Sequence, residues 1–291
     1  MTKERILLNN LKGTLLDPLA KDLADKVEWW ELKGVSRNNS DLYPVAIAGK
    51  GPPIILLHGF DSSFLEFRRL VPLLIQHHQI IIPDLFGFGF CPRPEKALYG
   101  TEALIFHLTE VLACLPKESK IGVIGASMGG AIAMRLARRH PQRINRLLLL
   151  SPAGLTGKAI KVPSPFDQLG VWFLSRPKVR KGLCRQAFAD PAASVGAPEE
   201  QIASLHLNVP GWGRSLAAFA RTGGVANCGA PKPSQPIQVL WGANDRILQG
   251  SQKKECIELI GSNFEELTQC GHLPHLDQAE IVAKRWTNLA K

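Results

Sequence analysis

Short, mainly apolar runs recur along the chain, at 52–57, 79–83, 121–124, 146–150 and 236–241, and the first has no polar alternation at all. A strand that is hydrophobic on both faces is buried on both, and in a β-sheet this means parallel strands with helices packed on either side. Helix signals fall between the runs. After the third run comes Ala131-Ile132-Ala133-Met134-Arg135-Leu136-Ala137, rich in Ala and Leu and stopped before Pro141. Ser63-Phe64-Leu65-Glu66 and Asp277-Gln278-Ala279-Glu280 both have capping-box spacing, each predicting a helix start. A helix is also predicted near Gln252–Ile260 and a short strand near Phe264–Leu267. Val27 to Leu32, holding Trp29 and Trp30, predicts an edge strand paired with Leu42–Ala48 across an Asn38-Asn39-Ser40-Asp41 turn. Upstream, Asp17-Pro18 is an N-cap followed by proline at the first helical position, and Leu19, Leu23 and Val27 recur every four residues. A short amphipathic helix is expected there, packed on the body of the protein.

Strand–helix alternation stops after the run at 146–150 and resumes at Pro236. The stretch between is Pro-rich and helical in patches, with apolar residues at Leu169, Val171, Trp172, Phe173 and Leu174. The expected organisation is an N-terminal helical extension at 1–26, an α/β core at 27–156 and 233–291, and an inserted, mainly helical cap at 157–232 over the strand ends.

Composition narrows the class. With 291 residues, 45% apolar and 21% charged, the chain suits a soluble globular protein, and no apolar run approaches the ~18 residues a membrane span needs. The first apolar patches are broken by Asn9, Asn10, Lys12 and Asp17, unlike a secretory signal. Six scattered cysteines, with no C-x-x-C pair or zinc spacing, are those of reduced thiols, so a cytoplasmic protein without a metal is expected.

The net charge of +10 is uneven: residues 158–232 hold ten Lys/Arg against four Asp/Glu. Arg176, Lys178, Arg180, Lys181 and Arg185 directly follow the apolar run at 171–174. Cations beside apolar residues are the pattern of an interfacial segment, so peripheral contact with an anionic membrane surface is one expectation. The other is a soluble enzyme whose cations are simply hydrated. No recognition motif accompanies the charge, and no nucleic-acid partner is expected.

The chemistry centres on Gly125-Ala126-Ser127-Met128-Gly129, a G-x-S-x-G between the strand signal at 121–124 and the helix signal at 131–137. A strand-to-helix turn this tight pushes Ser127 toward strained backbone angles, and a side chain at either glycine would collide with a neighbouring element. Ser127 then stands at a helix N-terminus, where free N–H groups favour developing negative charge. Asp84-Leu85-Phe86-Gly87-Phe88-Gly89-Phe90 has two spaced glycines but lacks the third glycine and the helix start of a dinucleotide loop.

Taken together, His58-Gly59-Phe60, Asp84 with Gly87 and Gly89, Gly125 to Gly129, Asp245 and Gly271-His272 fall in the order seen in alpha/beta-hydrolases, and the chain resembles the cap-bearing, serine esterase- or lipase-like members of that superfamily. The resemblance covers about 42–156 and 233–291. It implies an eight-stranded, mostly parallel sheet with helices on both faces. It also implies a catalytic triad: Ser127 as nucleophile, His272 as general base and Asp245 as the acid orienting it, with an oxyanion hole from the backbone N–H groups of Phe60 and Met128.

His275 is the rival base, His58 is expected to fix the oxyanion loop, and Asp84 to order the turn after it. Asp277 follows His272 at an H-x-x-x-x-D spacing found in some acyltransferases, against its capping-box reading. Cys91 stands where relatives carry serine, and Phe60-Asp61-Ser62 replaces the glycine-rich loop of the carbon–carbon bond hydrolases that Ser151-Pro152-Ala153-Gly154-Leu155 resembles. Phe86, Phe88 and Trp172 are the expected substrate-binding residues. The implied activity is hydrolysis of a small-molecule carboxylic ester with an apolar acyl or alcohol group, without cofactor. Carbon–carbon hydrolysis or acyl transfer by the same triad is the alternative, and a non-catalytic ligand-binding member the distant one.

Overall fold

The computed structural model describes residues 2–32, 41–248 and 250–289. Among them the sheet has eight strands: β1 (Val27–Glu31), β2 (Leu42–Ala48), β3 (Pro53–Leu57), β4 (Gln79–Pro83), β5 (Ile121–Ala126), β6 (Ile144–Leu150), β7 (Ile237–Gly242) and β8 (Phe264–Leu267). Their spatial order is β1-β2-β4-β3-β5-β6-β7-β8. β1 and β2 are antiparallel, as are β2 and β4, and every later pairing is parallel. The predicted 38–41 turn lies, except for Asp41, outside the described residues.

The unbroken hydrophobicity of the central strands is used on both faces. Ile55, Leu57, Val123, Leu147, Leu149 and Val239 point into one core, while Ile54, Leu56, Ile124, Leu148, Leu150 and Leu240 point into the other. Helices cover the two sides. In chain order they are α1 (Lys3–Lys12), α2 (Pro18–Ala24), α3 (Val71–Leu74), α4 (Thr101–Ala113), α5 (Met128–Arg139), α6 (Phe166–Ser175), α7 (Pro177–Gln186), α8 (Pro191–Ser194), α9 (Ala197–Ile202), α10 (Trp212–Thr222), α11 (Gly250–Ile260), α12 (Pro274–Asp277) and α13 (Ala279–Asn288). Buried residues of α4 and α5 join the first core, and those of α1, α2 and α13 the second.

Helix α2 starts as its sequence requires. The Asp17 carboxylate accepts the N–H groups of Leu19 and Ala20, and it also pairs with the buried Arg68. Ala20, Leu23 and Ala24 are buried, so α2 packs on the body. Helices α6 to α10 all lie between β6 and β7, where the alternation was seen to lapse. No helix of the described residues is long and apolar enough to cross a membrane.

Candidate active site

Ser127 occupies the single residue between β5 and α5, with φ 50° and ψ −120°, a conformation L-residues seldom adopt. The flanking glycines make the turn possible. A Cβ at Gly129 would lie 2.1 Å from the Leu57 carbonyl oxygen, and one at Gly125 2.4 Å from that of Gly129. The backbone is held on both sides: the Ser127 N–H donates to Leu150 O (2.9 Å), and its carbonyl accepts from Gly130 (2.9 Å) and Ala153 (3.0 Å).

Asp245 and His272 meet through their loops. Gly242, the last residue of β7, runs so close to the histidine loop that a Cβ there would lie 1.9 Å from Gly271 O. Asp245 Oδ1 accepts the N–H groups of Ile247 (2.8 Å) and Leu248 (3.1 Å), which aims Oδ2 at His272 Nδ1, 2.9 Å away. With the carboxylate ionised, Nδ1–H donates and Nε2 is left as the ring's acceptor. Burial pushes the Asp245 pKa up, but the bond to His272, its charge and the two N–H groups outweigh this and hold it below the usual carboxylate range. Among the described residues no hydrogen bond joins His272 to Ser127; in unliganded sites such bonds are often long and tighten with substrate.

The capping box expected at Asp277 does not form. Its carboxylate instead accepts the N–H groups of Gly271 (2.6 Å) and Ala189 (3.0 Å), while the His272 N–H donates to Ala187 O (2.8 Å). The histidine loop is thereby tied to the end of α7.

The loop after β3 is held from three directions. His58 Nε2 accepts the Leu85 N–H (2.9 Å), so Nδ1–H donates to Gly59 O (2.8 Å). Burial pushes the His58 pKa down to about 4, keeping the ring neutral and structural. Asp84 accepts the N–H groups of Phe64 and Phe90, both at 2.6 Å, and burial raises its pKa to about 7 despite them. It orders this turn, as expected, and the Cys91 thiol donates to its carbonyl (3.2 Å).

The capping box at Ser63–Glu66 also fails. Ser63 makes no side-chain cap, Phe64–Phe67 is a single 3₁₀ turn, and Glu66 reaches back to the Gly59 N–H (3.3 Å). Its carboxylate also lies 3.0 Å from Nε2 of His275, which is fully buried. His275 therefore sits behind the loop after β3, away from solvent.

Phe60 and Met128 both line a cavity of about 320 Å³, with Ala153, Ile160, Val162, Phe219 and Val225. Among the described residues their backbone N–H groups make no hydrogen bonds to backbone acceptors. The other expected substrate residues fall elsewhere. Phe86 is buried in the core, stacked on Tyr99 at 5.2 Å, because its side of the loop faces α4. Phe88 stands behind the cavity wall, edge-on to Phe219 at 5.1 Å and to Phe60 at 5.7 Å. Trp172 is off the cavity, half exposed, with Arg176 over its ring at 4.6 Å.

Three features escaped the sequence reading. Phe219 lines the cavity from α10, in a helix with no motif to mark it. Glu66 and His275 join the loop after β3 to the start of α12. Asp61, next to Phe60 and at φ 49°, is buried and bonds three residues from between β6 and β7: Arg180, His206 Nε2 (2.9 Å) and Trp212 Nε1–H (2.8 Å). Burial opposes its charge, but those partners hold its pKa far below normal. The one available signal was a carboxylate beside the expected oxyanion residue. Arg180, expected on a basic surface, is consequently buried.

Comparison with known proteins bears on the family and the fold. A family model described as the alpha/beta hydrolase fold matches residues 52–210. The chain is 34% identical to 2-hydroxy-6-oxo-6-(2'-aminophenyl)hexa-2,4-dienoic acid hydrolase of Metapseudomonas resinovorans, over 81% of this chain and 83% of that protein. It is 27% identical to alpha/beta hydrolase domain-containing protein VTE7 of Arabidopsis thaliana, over 94% of this chain and 86% of that one. Among solved structures, a serine hydrolase involved in carbazole degradation superposes with a TM-score of 0.75 at 20% identity, covering 91% of this chain and 98% of that one, a likeness of fold.

Proposed function

The chain belongs to the alpha/beta hydrolase family, and from that premise we propose that it cleaves carboxylic esters of apolar acyl or alcohol groups through an acyl-serine intermediate. Ser127 Oγ attacks the ester carbonyl while His272 Nε2 takes its proton. The Phe60 and Met128 N–H groups stabilise the oxyanion. The same imidazolium protonates the leaving alcohol, and water then releases the acid by the reverse sequence. Asp245 keeps the proton on Nδ1 and stabilises the imidazolium.

The observation that favours esters over the relatives' chemistry is the cavity lining. Phe60, Met128, Ile160, Val162, Phe219 and Val225 offer apolar surface, and the rest of the lining is alanine and glycine, with no charged side chain. The Metapseudomonas enzyme is named for a dienoic acid, whose carboxylate would sit in such a lining without a counter-charge. Carbon–carbon hydrolysis is the second reading, favoured by that relative. The test is a panel of p-nitrophenyl esters from acetate to octanoate beside a 2-hydroxy-6-oxo-dienoate. Ester kcat/KM should rise about fourfold per added methylene, at ~0.8 kcal/mol each, until the cavity is full. A flat ester profile with rapid dienoate cleavage would replace the ester reading with the second one.

A further inference from the structure

Helix α6 lies on α10 through one face. Asp167 is buried and paired with Arg221, and Val171, four residues on, packs at Gly213, where an added Cβ would lie 2.9 Å from its Cγ1. Leu174 completes this inner stripe, partly buried against the core. At 100° per residue, Phe166, Leu169 and Phe173 fall on the opposite side, with Trp172 beside them. These four and Ile160, just upstream, are between 53% and 78% exposed. So many exposed large apolar side chains within fourteen residues of sequence need a partner.

Charge identifies it. From 157 to 189 the sequence holds one acidic residue, Asp167, and it faces inward. Lys158, Lys161, Arg176 and Lys178 are exposed around the apolar face. Two others in the basic stretch are already engaged, Arg180 with Asp61 and Lys181 with Glu200 at 3.0 Å. A second copy of the chain fits poorly, because a two-fold contact through this face would set its cations against themselves. A surface that takes up apolar side chains and supplies negative charge around them is a bilayer with anionic headgroups.

We propose that the outer face of α6 docks the protein on an anionic membrane surface, with Phe166, Leu169, Trp172 and Phe173 in the acyl boundary and Lys161, Arg176 and Lys178 at the headgroups. Ile160, exposed and six residues before α6 in sequence, also lines the cavity. The docking stands by itself. Only its use, to pass an apolar ester from lipid to cavity, rests on the ester reading.

The experiment is sedimentation with phosphatidylcholine vesicles, with and without phosphatidylglycerol, at low and high salt. The full chain should bind the anionic vesicles, and the binding should fade as salt screens the charges. The triple variant Phe166→Ser, Leu169→Ser, Phe173→Ser should weaken binding by about tenfold per side chain, and reversal at Lys161, Arg176 and Lys178 by about fivefold per cation removed. All six positions are exposed, so circular dichroism and hydrolysis of a soluble short ester should be unchanged. Ser127→Ala should bind vesicles like wild type, which separates failure of docking from failure of the hydrolase reading. Absence of binding to anionic vesicles at low salt overturns the proposal. So does binding that survives the triple variant, or a dimer in light scattering that the triple variant dissolves.

Discussion

Two histidines three positions apart, His272 and His275, each lie beside a carboxylate, yet their surroundings differ. His272 bonds Asp245 and lies in the loop between β8 and α12, with its ring slightly open to solvent. His275 touches Glu66, packs against the Phe67 ring at a centroid distance of 4.9 Å and is fully buried. Asp245 receives N–H groups from its own turn, which leaves one oxygen to orient a ring. Glu66 instead spends its oxygens on the Gly59 N–H and His275, holding the loop after β3 against the start of α12. A histidine–carboxylate pair is thus not itself a catalytic signature. What distinguishes the first is a carboxylate with one oxygen held by its own turn and the other aimed at Nδ1, which leaves Nε2 as the ring's acceptor; the second is a fully buried brace.

The largest effect separates the histidines. His272→Ala and Ser127→Ala should each cut ester turnover by on the order of 10⁴-fold or more and abolish labelling of Ser127 by a fluorophosphonate. His275→Ala should keep turnover per folded molecule within about tenfold and lose on the order of 3 kcal/mol in urea unfolding, since it leaves a buried carboxylate unpaired. Equal activity loss in both histidine variants would break the distinction.

The carboxylates sharpen it. Asp245→Asn should lower kcat by about 10⁴, by favouring the wrong imidazole tautomer, with little change in melting temperature. Glu66→Gln should do the reverse: a modest loss of activity with a loss of about 1–3 kcal/mol in stability. If Asp245→Asn stays within a few fold of wild type, the acid lies elsewhere.

The smallest effect is in pH. Burial raises the Glu66 pKa, but contact with His275 outweighs it, so this pKa, like that of Asp245, is depressed in the folded protein. Depressed carboxylates bind protons less readily folded than unfolded. Their stabilisation is therefore fully present above the unfolded value near pH ~4 and lost as pH falls through the folded values. Thermal melts of Glu66→Gln should accordingly depend less on acid below about pH 4 than those of wild type. A variant with the wild-type acid slope would place the Glu66 proton equilibrium outside the folding transition.

By itself the sequence settled whatever depends on neighbours along the chain. Unalternating runs such as 53–57 and 147–150 have no polar face to expose, so each had to be a central strand of a sheet covered on both sides. Gly125 and Gly129 bracket a serine in the only turn that fits between a strand and a helix in van der Waals contact. Asp245 and His272 follow strand ends, where the sheet alone gathers residues from distant segments.

Only the tertiary structure decided which group each polar side chain would meet. The boxes at Ser63–Glu66 and Asp277–Glu280 have correct local spacing, but Glu66 and Asp277 found backbone N–H groups across loop contacts and went there instead. Arg180 reads as one cation in a basic run; it is buried because Asp61, 119 residues away, lies opposite it. Phe86 and Phe88 share one loop, yet one turns to the core and the other to the cavity wall, and Trp172 stays outside. Helix and strand signals arise from contacts within a few residues, so they are written locally. A buried charge or ring takes whichever partner the packed layers bring to it, and that choice exists only once the layers are assembled.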